Sequence, residues 1–205
     1  MSDLEKIIQL LKDNKKFPNY QAERRIDIFL NVFLEELLSV YLGKEVKYVC
    51  PEFPLRQDGD YNRSTKLDYL CKTEGELLFI ELKTDNKSFN EDQLDTYFTQ
   101  NWETWLSKLE DIMEATKDTV KYQHLKNTLM DCDLYHVKYK NAPIRVIYIS
   151  PKFSTKNIKR LEEMKYSIGK EMELSKANIS TAGWDTISPL FSIDGEELCT
   201  FEIEK

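Results

Sequence analysis

Three side chains in the middle of the chain, Asp68, Glu81 and Lys83, have types and spacing that could do chemistry. Asp68 lies within Lys66-Leu67-Asp68-Tyr69-Leu70, and Glu81 and Lys83 lie within the stretch from Leu77 to Thr84. Both stretches read as strands, joined by a tight turn over Thr73-Glu74-Gly75-Glu76. Side chains at i and i+2 of a strand share a face. Glu81 and Lys83 therefore point one way, while Leu78, Ile80 and Leu82 point the other way into a core. Pairing of the two strands brings Asp68 close to Glu81. Two carboxylates and an ammonium at a sheet edge suit magnesium-dependent hydrolysis of a phosphodiester. A hard cation takes oxygen ligands and keeps several waters, and when bound it activates a water and stabilises charge on the phosphate.

Acid-x-Lys also occurs at Asp13-x-Lys15, Asp85-x-Lys87 and Glu163-x-Lys165. Those copies fall on polar or helical stretches, and none follows a strand bearing an isolated Asp. The structural alternative is a cross-strand ion pair between Asp68 and Lys83, because a carboxylate inside an apolar strand is costly when unpaired.

The elements that must position these residues are legible from periodicity. Leu4, Ile7, Ile8, Leu10 and Leu11 repeat at helical spacing, which predicts an amphipathic helix over 3–14. A longer helix is expected from about Gln21 to Leu42, with Gly43 as its stop. Val46 to Pro54 is β-rich, but Pro51 and Pro54 predict an end or a bulge there. Gln57 to Asn62 reads as an exposed loop. Three strands with short links favour an antiparallel meander. Helical regions are expected from Glu91 to about Thr116 and from about Asp118 to Met130. Ile144 to Ile149 reads as a buried strand, followed by a helix capped at Ser154 or Thr155 and reaching about Met164. Phe191 to Glu196, with Leu198 to Ile203 returning, reads as a hairpin turned at Asp194-Gly195. The fold class is α/β, a central mixed sheet flanked by helices in the order αβββαβ, with an extra C-terminal β-hairpin.

Composition sets the limits. With 205 residues, 41% of them hydrophobic, the chain suits one domain over 1–205, with its core at about 20–165 and appendages at 3–14 and 166–205. No apolar run approaches the roughly 20 residues that span a bilayer. The N-terminus has no basic region followed by an apolar core, so neither membrane nor signal peptide is expected. Cys50, Cys71, Cys132 and Cys199 form no CxxC pair, and reduced, mostly buried thiols in a cytoplasmic protein are expected. With only His124 and His136 besides, zinc is not expected. Net charge is −7, yet between Lys138 and Lys176 ten Lys or Arg face four Glu. A basic patch on an acidic body is compatible with docking a polyanion. Within it, Lys156, Lys159 and Arg160 would form one helix face suited to phosphates. No P-loop, GxGxxG or nucleophile elbow is present.

The pattern Asp68-x12-Glu81-x-Lys83, on a hairpin behind a long helix, resembles the PD-(D/E)XK nuclease superfamily, whose fold is restriction-endonuclease-like. The resemblance implies that Asp68 and Glu81, with the carbonyl of Leu82, bind Mg²⁺, with Mn²⁺ able to substitute. It implies that Lys83 orients the attacking water or neutralises the transition state. Gln21-Ala22-Glu23-Arg24 is similar to the start of the first helix in archaeal-type Holliday-junction resolvases, where a Glu completes the metal site. Glu23 is preferred for that role, with Glu35 and Glu36 competing. Gln93-Leu94-Asp95-Thr96-Tyr97 matches the QxxxY motif of RecB-type nucleases, and Gln93 and Tyr97 lie one helical turn apart on one face. Leu67 stands where the pattern has a proline. The resemblance covers about residues 20–100 and implies a DNA-cutting enzyme, possible as a homodimer because duplex cutting takes two sites. The competing expectation is a catalytically silent module of the same fold that binds nucleic acid or protein.

Overall fold

The structure, a computed structural model, describes residues 3–14, 23–56, 64–84, 89–115, 119–180, 183–191 and 197–205. Helices α1 (Asp3–Asn14) and α2 (Glu23–Leu42) precede strands β1 (Lys47–Arg56), β2 (Ser64–Lys72) and β3 (Leu77–Leu82). Four helices follow: α3 (Glu91–Phe98), α4 (Trp102–Ala115), α5 (Thr119–Asp131) and α6 (Val137–Lys140). Then come β4 (Ile144–Pro151), α7 (Thr155–Glu163), β5 (Ser167–Glu173), the short α8 (Trp184–Ile187) and β6 (Leu198–Glu204). The strands hydrogen-bond in the order β1-β2-β3-β4-β6-β5, a six-stranded mixed sheet flanked by helices. Among the described residues no helix is long and apolar enough to cross a membrane.

The chain divides into two compact units. One comprises Val46–Glu81, Asn90–Ile147 and Glu204–Lys205. The other comprises Met1–Glu45, Leu82–Phe89 and Tyr148–Ile203.

The first of these contains the expected meander, β1 antiparallel to β2 and β2 antiparallel to β3. Thr73 N donates to Glu76 O at 2.9 Å and closes the predicted turn. The bulge in β1 falls between Tyr48 and Cys50 rather than at the prolines. As the edge strand of the sheet, β1 runs through Pro51 and Pro54, because proline's missing N–H costs nothing where no neighbour needs it. The loop expected at Gln57 to Asn62 lies outside the described residues. The helical region expected from Glu91 to Thr116 is two helices. Asn101 accepts from Thr104 N at 2.9 Å and starts α4 afresh, a cap that the continuous apolar pattern conceals. Trp102 and Trp105 are core. Trp102 packs against Phe53 at 5.4 Å between ring centroids and donates to Leu134 O at 2.9 Å, so its polar edge is satisfied while its rings are buried.

The other unit is organised on α2, which buries Leu30, Phe33, Leu34, Leu37, Leu38 and Tyr41. Gly43, at φ 70°, ends it by donating to Ser39 O, the left-handed stop that glycine adopts without strain. Phe33 meets Trp184 at 5.3 Å. Tyr41 OH donates to Lys170 O. Ser154 caps α7 by accepting from Asn157 N. Phe89, Tyr148, Phe153 and Phe201 form an aromatic cluster, with Phe153 and Phe201 at 4.7 Å. The expected C-terminal hairpin is corrected here. Its turn at Asp194-Gly195 lies outside the described residues, while Ser188–Phe191 is a 3₁₀ turn. The returning segment is β6, which pairs between β4 and β5. β5 itself shows no alternation of burial, so nothing in its sequence advertises a strand.

Candidate functional site

The β2–β3 register pairs Leu70 with Phe79 and Tyr69 with Ile80. Tyr69–Ile80 is the last pair of that ladder, and Asp68 and Glu81 are the next residue on each strand. Alternate residues of a strand share a face. Asp68, Leu70, Phe79 and Glu81 therefore line one face, and α3 covers it.

Local sequence explains why α3 is available there. Asn90 accepts from Gln93 N at 3.3 Å and caps the helix, and Glu91 and Asp92 occupy its first turn, where carboxylates favour the positive end of the helix dipole. Asn90 followed three residues later by Gln93 is a capping pattern readable from sequence, and our sequence reading passes over it. Leu94 and Tyr97 are buried beneath the helix. The Tyr97 ring meets Phe79 edge-on at 5.9 Å and 86°.

Two residues along from Phe79, Glu81 is 1% exposed. A buried carboxylate needs partners, and α3 supplies them. Tyr97 OH donates to Glu81 Oε2. Gln93 Nε2 donates to Glu81 Oε1 at 2.9 Å. The same amide nitrogen lies 2.6 Å from Tyr97 OH and 3.3 Å from Lys66 O. The amide has two hydrogens for these three acceptors, so at least one is shared, and it ties the helix to both strands. The carbonyl of Lys66 is a partner that sequence reasoning misses, because a backbone acceptor carries no side-chain signal.

Asp68 is half-buried on β2. Lys83 is 8% exposed, and its backbone N donates to Ile149 O at 2.9 Å. Leu82 is the last residue of β3. Glu23 is the first residue of α2, and its side chain lies outside the described residues. Of its two competitors, Glu35 is exposed, and Glu36 accepts from Ser180 Oγ at 2.6 Å, a tether within its own unit. Lys156 and Lys159 are exposed on α7 and Arg160 is half-buried. The structure thus brings together Glu81, Gln93 and Tyr97, with Asp68 on the same face of the hairpin. Leu82, Lys83, Glu23 and the α7 cations belong to the other unit.

The basic excess between residues 138 and 176 is partly taken up in ion pairs: Lys140 with Glu103 at 2.6 Å, Arg145 with Glu76 at 3.6 Å and Lys152 with Glu171 at 3.1 Å. His136 caps α6 by accepting from Lys138 N. Among the described residues, no group of three or more His, Cys, Asp or Glu is disposed to hold a metal ion. Asp68 and Glu81, on one face of the hairpin, offer oxygens, the ligand type that a hard divalent cation takes. No protein-family model matches the chain, and neither the curated proteins nor the solved structures contain a match.

Proposed function

We propose that the chain is a metal-dependent nuclease of the PD-(D/E)XK type that hydrolyses phosphodiester bonds in DNA. The observation that carries this reading is the buried carboxylate of Glu81, held on both oxygens by Gln93 and Tyr97, one residue beyond the last β2–β3 pair and on the same sheet face as Asp68. Asp68 and Glu81, with the Leu82 carbonyl and Glu23, would hold Mg²⁺ or Mn²⁺. The cation supplies, when bound, an activated water and a positive charge against the scissile phosphate. Tyr97 and Gln93 fix the direction in which Glu81 presents its oxygens, the part that partners of a ligating carboxylate play. Lys83, two residues beyond Glu81 in the chain, contributes a compact ammonium to orient the attacking water or offset transition-state charge. Lys156, Lys159 and Arg160 contact phosphates without reading sequence. A homodimer on duplex DNA belongs to this reading, since cutting both strands takes two sites.

One observation favours a catalytically silent module of the same fold. Both Glu81 oxygens already have protein donors, which satisfies the buried carboxylate without a metal. A cleavage assay separates the two. Supercoiled plasmid, linear duplex and single-stranded DNA are incubated with Mg²⁺ or Mn²⁺, with Lys83→Ala and Asp68→Ala alongside. Metal-dependent cutting by the unmodified chain, lost in both variants with unchanged circular dichroism, is the expected result. Full activity in Lys83→Ala would sink the assignment. No cutting on any substrate, together with no Mg²⁺ binding by calorimetry, would support the silent module.

A further inference from the structure

The unit that contains β1 to β3 holds a second feature, a half-open groove of about 610 Å³ between β1 and the first turns of α5. Tyr48 and Pro51 from β1 and Tyr122 from α5 give it flat apolar walls. Lys66, Lys121 and His124 bring cationic or ionisable groups to it. Glu52 lines the groove as well, so Lys66 and Lys121 leave it one net positive charge on a chain of net charge −7, a local excess that favours an anion.

The groove adjoins the candidate site through one residue. Lys66 lines the groove with its side chain, while its carbonyl lies 3.3 Å from Gln93 Nε2. Asp68 is two residues further along β2, on the same face of the strand. The Lys66 ammonium pairs with Glu52 at 2.9 Å, and its side chain is 57% exposed. An exposed pair of this kind contributes little, so exchange of Glu52 for a phosphate is easy.

We infer that this groove binds one single strand of nucleic acid, stacking bases on Tyr48 and Tyr122 and pairing phosphates with Lys66 and Lys121, and that it leads the strand toward Asp68 and Glu81. The inference rests on the proposed nuclease reading and adds the substrate class. Aromatic walls with scattered cations are the arrangement that binds unpaired bases without sequence preference.

The test is fluorescence anisotropy of the full chain with a labelled oligothymidylate and a labelled hairpin duplex, in Ca²⁺. Tyr122→Ala, Tyr122→Phe and Lys121→Ala are compared, all at positions outside the proposed catalytic set. Tyr122→Ala is expected to weaken oligothymidylate binding about 10-fold or more, the range for loss of one stacked base, and Tyr122→Phe to restore it. Lys121→Ala should reduce the salt slope by about 0.7, one phosphate contact on a single strand. Unchanged oligothymidylate binding in both Tyr122→Ala and Lys121→Ala would overturn the inference, and so would binding confined to the duplex. Cleavage at saturating substrate distinguishes the two readings. If the chain cuts DNA while the groove variants bind as the unmodified chain does, the groove falls and the nuclease stands. If oligothymidylate binds through Tyr122 and nothing is cut, the groove stands and the nuclease falls.

Discussion

Tyr97 donates its phenolic hydrogen to Oε2 of Glu81, sixteen residues earlier in the chain. The ring that carries this hydroxyl also packs on Phe79, two residues before Glu81 on the same strand face. One side chain thus supplies apolar burial to the middle of β3 and a donor to the carboxylate at its end. Removing the hydroxyl alone separates the two contributions. Tyr97→Phe keeps the ring and leaves a buried carboxylate short of one donor, which should destabilise the fold by about 1–3 kcal/mol. Urea unfolding at neutral pH checks this. A shift of the midpoint at constant slope is the expected form, and an unchanged midpoint would show that Glu81 finds another donor.

Metal binding, on the proposed function, should appear as stability before it appears as activity. A ligand that binds only the folded state stabilises it by RT ln(1 + [L]/Kd), about 2.7 kcal/mol at one hundred times Kd. Melting in millimolar Mg²⁺ should therefore exceed melting in EDTA. Asp68→Asn, which keeps the shape and removes the charge, should abolish the difference. An equal Mg²⁺ response in Asp68→Asn would place the cation elsewhere.

The thiols should differ in reactivity. Cys50 is buried, and that burial, aided by the nearby Cys132, pushes its pKa up to about 12. Cys199 is pushed up to about 11, first by burial. The thiolate is the reactive form, so both should resist iodoacetamide at pH 8, as should the buried Cys71. Cys132, half-buried, should be labelled first. Peptide mass spectrometry of the native chain reads the order, and early labelling of Cys50 would contradict its burial.

Alkaline stability should depend on Tyr135. Its hydroxyl donates to Glu110 at 3.2 Å. Burial, then the negative charge of Glu110, raises its pKa from about 10 to about 12. Between those values the unfolded chain has lost the phenolic proton and the folded chain keeps it. The unfolded state then binds fewer protons, and stability falls as pH rises. Burial raises the Tyr139 pKa as well. Tyr135→Phe should therefore make the loss of melting temperature between pH 10 and 12 shallower without removing it.

The hairpin of β2 and β3 and its carboxylates were legible because the signals are local. The apolar run from Leu77 to Ile80 marks the strand, Gly75 marks the turn, and turn length sets the register that puts Asp68 and Glu81 on one face. Gln93 and Tyr97 share a face for an equally local reason, the helical repeat. The end of α2 at Gly43 and the cap at Ser154 belong to the same class. Where local signals run weak, the reading departs from the structure. The break before Trp102 hides inside an unbroken apolar pattern, and β5, exposed and half-exposed along its length, has no apolar face to announce it. β6 pairs between β4 and β5 rather than folding back as a hairpin, because a strand takes the partner that buries it, and that partner is distant in the chain.

By itself, then, the sequence determined the long helix, the β2–β3 hairpin and the spacing of Gln93 and Tyr97, since each follows from sterics and periodicity within a few residues. Only the tertiary structure decided that α3 lies over β3 so that Tyr97 and Gln93 both meet Glu81. Only it gathered Tyr48, Lys66 and Tyr122 around one groove. Those meetings follow from burial shared among distant segments, and no local pattern encodes which segments will share it.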